Sequence, residues 1–203
     1  MRMMIRFWVG AVLAVLVGCA PPGEMTITSR DVAPVVMRSQ YDVKAVQISV
    51  PASLVVSEAN LIYPRADIVW RGDPPGDRHA QVKAIFEEAF AAATGPMKQG
   101  PAVTVRADVV RFHALSEKAR YLVGGVYDMV FILTVTEQST GVILDGPREV
   151  SIDARASGGR QAVADDAAGR TERVVVLETL TAGVRRLLSA VVSDKAVQSA
   201  PKS

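Results

Sequence analysis

The residues best suited to chemistry crowd into one stretch, Trp70-Arg-Gly-Asp-Pro-Pro-Gly-Asp-Arg-His79. Asp73 or Asp77 near His79 is the material of acid–base work, in which a carboxylate orients an imidazole that moves a proton. That pairing defines one expectation, a hydrolase. No Gly-x-Ser-x-Gly elbow accompanies it, and no catalytic residue is assigned. A second expectation is a recognition loop, with Trp70 as anchor and Arg71, Asp73, Asp77, Arg78 and His79 as polar contacts. The plainer alternative is a turn-rich connection whose aspartates cap turns and the next helix. Asp67, Asp73 and Asp77 match no calcium-loop spacing, and His79 and His113 are the only histidines. No metal site and no cofactor are therefore expected. Arg111-Phe-His-Ala-Leu-Ser-Glu-Lys-Ala-Arg-Tyr121 could face a lipid headgroup or a partner, but it reads more simply as a solvated loop. Gly124-Gly125 lacks the Lys-Ser/Thr ending of a phosphate loop.

A different chemistry is written at the N-terminus. Arg2 and Arg6 precede an apolar run from Phe7 to Val17. Such a run is long enough for the core of a signal peptide and short of the ~20 residues that span a bilayer. It ends in Leu16-Val17-Gly18-Cys19, which resembles the lipobox of bacterial lipoproteins. The resemblance implies a diacylglyceryl group on the Cys19 sulfur, cleavage between Gly18 and Cys19, and acylation of the new amine. Cys19 is the only cysteine in the chain. A single acyl chain holds a protein only marginally to a membrane, whereas two or more anchor it stably. Ala20, where an Asp tends to mark retention in the inner membrane, favours the outer membrane.

Composition narrows the partners. The chain carries 23 Lys and Arg against 21 Asp and Glu, so loss of Arg2 and Arg6 leaves no net charge. A nucleic-acid binder would show a basic face or a high domain pI, and none is expected here. With its one thiol lipidated, the mature chain has no disulfide and must rest on its core.

Those residues need a scaffold. Residues 1–18 read as signal peptide, 19–40 as a lipidated tether, 41–192 as one periplasmic domain and 193–203 as a tail. Val46, Ile48 and Val50 alternate with Gln47 and Ser49, which predicts a strand over 43–50. Leu54-Val-Val56 could continue that sheet edge. The Pro- and Gly-rich stretch 63–77 predicts a long loop. Val82, Ile85, Phe86, Ala89, Phe90 and Ala93 share one face of a helix over 78–94, with Asp77 as its cap. Three strands follow, over 102–112, 126–137 and a third around 150–156. A hairpin turn falls at 138–141, and Gly146-Pro147 marks a bulge or late start. A last helix fits 171–192. The expected fold is α+β, in the order β-α-β-β-β-α. An antiparallel sheet of about four strands would carry two helices packed on one face.

Several runs carry a resemblance across most of the mature chain. They are Val50-Pro-Ala-Ser-Leu-Val-Val-Ser-Glu-Ala-Asn60, Ala66-Asp-Ile-Val-Trp-Arg-Gly-Asp-Pro74, Gly76-Asp-Arg-His79, Gln81-Val-Lys-Ala-Ile-Phe-Glu-Glu88, Arg111-Phe-His113 and Glu117-Lys-Ala-Arg-Tyr121. Together they resemble an uncharacterised family of alphaproteobacterial lipoproteins with a domain of unknown function. The resemblance implies an address and a fold, and no activity. In topology alone, the pattern is similar to the lipopolysaccharide-assembly lipoprotein that plugs an outer-membrane barrel. It is also similar to the auxiliary lipoproteins of lipid-transport ABC systems. The expectation is a lipid-anchored, non-enzymatic binding or assembly module facing the periplasm, with an envelope protein or lipid as partner. The hydrolase is one alternative, and a subunit bracing an outer-membrane transport machine is the other.

Overall fold

A computed structural model of the protein describes residues 36–192. The signal segment, Gly18, Cys19, residues 20–35 and the tail lie outside the described residues. The chain runs β1 (Val36–Ser39), β2 (Asp42–Ser49), β3 (Ile68–Val69), α1 (Arg78–Thr94), β4 (Ala102–His113) and α2 (Glu117–Leu122). It continues through β5 (Gly125–Glu137), β6 (Ile143–Ala156), α3 (Arg160–Ala167), α4 (Glu172–Leu187) and β7 (Ser189–Val192).

The main sheet is ordered β2-β4-β5-β6, with β3 also against β4. Alternation builds its covered face. Val103, Val105, Ala107 and Val109 of β4 and Met129, Phe131, Leu133 and Val135 of β5 are buried, and their neighbours in sequence are more exposed. Helices α1 and α4 lie side by side over this face. Phe86 and Phe90 of α1 meet Phe131 edge-on, with ring centroids 5.6 and 5.7 Å apart, a favoured aromatic geometry. Gly183 of α4 packs directly on Ile152, where a Cβ would come within 2.6 Å of the Ile152 Cδ1. The absent side chain lets helix and strand close up.

The sheet is mixed, which corrects the antiparallel expectation. β4, β5 and β6 are antiparallel, but β2 pairs with Val103–Asp108 in parallel, and β3 pairs with Phe112 and His113 in parallel. The cause is α1. A helix that carries the chain back along the sheet leaves the two strands it joins pointing the same way. Val56 bridges Ile68, so the 54–56 stretch does touch the sheet. The loop expected over 63–77 is interrupted by β3. Ile68, Val69 and Trp70 are each wholly buried, and burial of that short apolar run outweighs the flanking prolines. The segment expected as a solvated loop before Tyr121 instead holds α2, capped where Ser116 Oγ accepts from the Ala119 N–H at 3.1 Å. The last helix stops at Leu187, short of the expected 192. Ser189–Val192 leave it to pair antiparallel with β1, inside the stretch read as tether.

Helix α1 matches its expected span. Asp77 Oδ1 accepts from the Ala80 N–H at 3.1 Å, satisfying a donor that the first helical turn leaves free. Asp77→Ala is expected to lower the unfolding free energy by about 1 kcal/mol, with Asp77→Asn close to wild type. Urea denaturation of both variants checks this.

Candidate functional site

The 70–79 loop is held from within. Trp70 is fully buried and stands edge-on to Phe112, centroids 5.4 Å apart at 76°. Its Nε1–H donates to Asp73 Oδ2 at 2.8 Å. Asp73 also pairs with Arg173 of α4 at 3.0 Å, and Arg173 reaches Glu88 of α1 at 2.7 Å. Arg78 is buried at 4% exposure. It donates to Glu58 through Nε at 2.8 Å, and through Nη1 to the Asp73 and Pro74 carbonyls and to Gln81. Arg71 also pairs with Glu58. The hydrogen bond from Arg78 holds the Glu58 carboxyl below its ordinary range. His79 Nε2 bonds the Leu54 carbonyl at 3.0 Å, and its Nδ1 lies 4.0 Å from Asp77.

This geometry corrects Trp70 as an outward anchor, because its ring completes the core and its one polar atom is bonded inside the loop. It brings Arg71 and Arg78 together on Glu58, a residue absent from the sequence-based set. Of the expected Asp73, Asp77 and His79, it brings His79 to within 4.0 Å of Asp77 only. Asp73 is taken by Trp70 and Arg173, and Asp77 caps α1.

The denser polar cluster lies where α2, α3 and α4 meet the sheet. Arg120 Nη1 donates to the Tyr127 hydroxyl at 2.7 Å and Nη2 to Asp166 Oδ1 at 2.6 Å. The Tyr121 hydroxyl donates to Asp166 Oδ2 at 3.0 Å. Glu172, in the first turn of α4, is 4% exposed and accepts from the Leu115 N–H at 3.1 Å. Burial raises its pKa to about 7, against the lowering effects of that N–H and of Arg120. Burial also raises Tyr127. Burial works against the charge on Arg120 too, but the hydrogen bond to Asp166 and its negative surroundings leave its pKa raised. A cavity of about 370 Å³ opens beside it, walled by Arg71, Arg120, Tyr121, Asp166 and Glu172. The cluster thus joins a fixed guanidinium to a carboxyl that holds its proton near neutrality. Glu172 was not legible as a site residue. A glutamate in a first helical turn reads as an ordinary partner of the helix dipole, and its contacts come from far along the chain.

A third feature is open. β6 pairs only with β5 among the described residues, so its other edge is free. A groove of about 470 Å³ runs between that strand and α4, floored by Val150, Ile152, Ala182, Gly183 and Leu187. Among the described residues, no cluster of three or more His, Cys, Asp or Glu is arranged to hold a metal ion. No described helix is long and apolar enough to cross a membrane.

The family model described as "Family of unknown function (DUF6778)" matches residues 41–202. The chain belongs to this family. No curated protein matches it. Among solved structures, DUF6778 here is similar to a candidate lipoprotein of Caulobacter crescentus CB15. The identity is 12% and the TM-score 0.32, over 52% of this chain and 76% of that one. A Xanthomonas campestris protein of the DUF330 family model matches at 14% identity and TM-score 0.40, over 76% of this chain and 86% of its own. A minor lipoprotein of Acinetobacter baumannii matches at 11% and 0.30, over 79% and 99%. At these scores the likeness carries no argument about what the DUF6778 domain does.

Proposed function

We propose that the chain is a lipid-anchored lipoprotein of the cell envelope whose domain is a non-enzymatic binding module. Ala20 favours the outer membrane, with the domain in the periplasm. The anchor is supported by Leu16-Val17-Gly18-Cys19 holding the only cysteine. The observation that carries the module is the long free edge of β6 beside a groove with an apolar floor and a polar rim of Asp153, Glu178 and Arg186, because an extended segment of a partner can add to such an edge and place alternate side chains in the groove. Non-enzymatic binding fits the loop chemistry, since Asp73 is held by Trp70 and Arg173 and one nitrogen of His79 is bonded to the Leu54 carbonyl. A subunit that braces an outer-membrane transport machine is the specific form this module would take if its partner is such a machine.

Two measurements test the reading. The intact mass of the protein from membranes is expected to equal a chain starting at Cys19 plus acyl groups, and Cys19→Ala is expected to lose that mass. A photo-crosslinking residue at Arg186, on the groove, is expected to give one discrete adduct in cells, whereas the same residue at Lys83, on the exposed side of α1, gives none. An unmodified wild-type mass removes the anchor. Equal adducts, or none, at both positions remove the groove as the binding surface.

A further inference from the structure

We infer that the β5–β6 hairpin tip, Val142-Ile143-Leu144, seats on the anionic surface of the bilayer that holds the lipid anchor. The inference rests on the anchor proposed above and names what this end of the domain touches.

Three consecutive aliphatic side chains are exposed there, at 54, 52 and 41%. A run of exposed apolar residues is costly in water unless something covers it. The fold puts this tip at the end of the sheet where the anchored chain arrives. β1 leads through Gln40, whose N–H donates to the Leu188 carbonyl, into the start of β2, where the Asp42 N–H donates to the Pro101 carbonyl. Val103, next to the start of β4, pairs with Glu137 at the end of β5, and Gln138 of the tip donates to the Ala102 carbonyl. The first residue of β2, the end of α4 and the hairpin therefore share one end of the molecule. From Cys19 to Val36 the connecting chain reaches at most about 60 Å, so a membrane that holds Cys19 is within reach of this end.

Charge at this end suits an anionic surface. Arg38, Lys98, Arg185 and Arg186 are exposed and have no carboxylate partner among the described residues. Of the nearby acids, Asp42 pairs with Lys44 and Asp145 with Arg148, whereas Glu137 accepts only from the Thr140 hydroxyl and keeps its charge, which the four basic side chains outnumber. Free basic side chains around exposed aliphatics attract phosphate headgroups and place the apolar groups at the headgroup–acyl boundary. A second exposed apolar set, including Leu122 and Val123 at 60 and 59%, lies at the opposite end with α2, and so provides an internal control of equal hydrophobicity.

The test uses the full lipidated chain, in which the acylated Cys19 leaves an introduced cysteine as the only free thiol. Ile143→Cys and Val123→Cys are each labelled with an environment-sensitive dye and reconstituted into phosphatidylethanolamine–phosphatidylglycerol vesicles. The dye at 143 is expected to shift to the blue and to be quenched several-fold less by iodide than the dye at 123. That protection is expected to shrink in phosphatidylcholine vesicles. Leu144→Cys is expected to repeat the 143 result. Equal quenching at 143 and 123, or protection at 123 instead, overturns the proposal. So does protection at 143 that appears in native membranes but not in protein-free lipid, which would place a protein there. An unlipidated Cys19, read from the intact mass and from dye on Cys19 itself, brings down the anchor and this inference with it, and is distinguishable from the other failures.

Discussion

Trp70→Ala is expected to cost about 3–5 kcal/mol of unfolding free energy. The side chain is wholly buried and packs edge-on against Phe112. Removing it opens a cavity between β3 and β4, which the surrounding rings fill only in part. It also takes from Asp73 one of its two polar partners, leaving Arg173 alone to satisfy that carboxylate. Trp70→Phe separates the two effects. It keeps an aromatic ring against Phe112 and drops the Nε1–H bond, so its expected cost is about 1–2 kcal/mol. Chemical denaturation of the three proteins reads both numbers. A loss below about 1 kcal/mol for the alanine variant would show that the loop, and not the core, is what positions the ring.

Glu172 should make the protein less stable as pH rises toward neutrality. Its ordinary value is 4.5, and burial raises it to about 7 in the folded chain. The folded state therefore holds this proton more tightly than the unfolded state does. The stabilisation is complete below about pH 4.5 and drains away as pH climbs to about 7, reaching a loss on the order of 3 kcal/mol above it. The carboxylates held below their ordinary range, Glu58, Asp145 and Asp165, act in the opposite sense and at lower pH. They leave the window from 4.5 to 7 to Glu172. Glu172→Gln keeps an acceptor for the Leu115 N–H and cannot ionise. Its stability is expected to be flatter across that window, and at pH 8 to exceed that of wild type. Urea unfolding of both proteins at pH 5 and pH 8 decides the matter. A wild-type curve that does not decline, or a glutamine variant that declines equally, would refute it.

Strong local periodicity made much of the fold readable. The six apolar positions from Val82 to Ala93 define one helical face, and the helix occupies the expected Arg78–Thr94. The alternation in β4 and β5 likewise marked the buried face correctly. Weak or distant signals were lost. β3 is two residues long, too short for any period to show among prolines and glycines. The parallel pairing of β2 with β4 is invisible in either strand alone, although the helix between them was a legible clue to it. α2 could have been found from Ser116 followed by Glu117, a capping residue and an acidic first turn. The polar cluster had no local signature. Arg120 meets Asp166 across 46 positions, and Leu115 meets Glu172 across 57. In the 70–79 loop the expectation of Trp70 as an outward anchor fails, because its ring is wholly buried. Residue type does not say whether a tryptophan before a turn closes a core or waits for a partner.

The β1–β7 pair has a mechanical consequence. A chain held by its N-terminus takes any tug along β1, whose residues Val36 to Ser39 are each matched to one of Val192 to Ser189. The hydrogen bonds of an antiparallel ladder stand across the strands, so a pull along β1 against the body of the domain loads all four rungs in shear together and not one after another. β7 is continuous with α4, so part of the load passes into that helix, packed over the sheet, and is not borne by β2 alone. In a chain anchored as proposed, the ribbon would serve as a strain relief, a stiff collar that lets the domain be jostled without peeling the first strand from its main sheet.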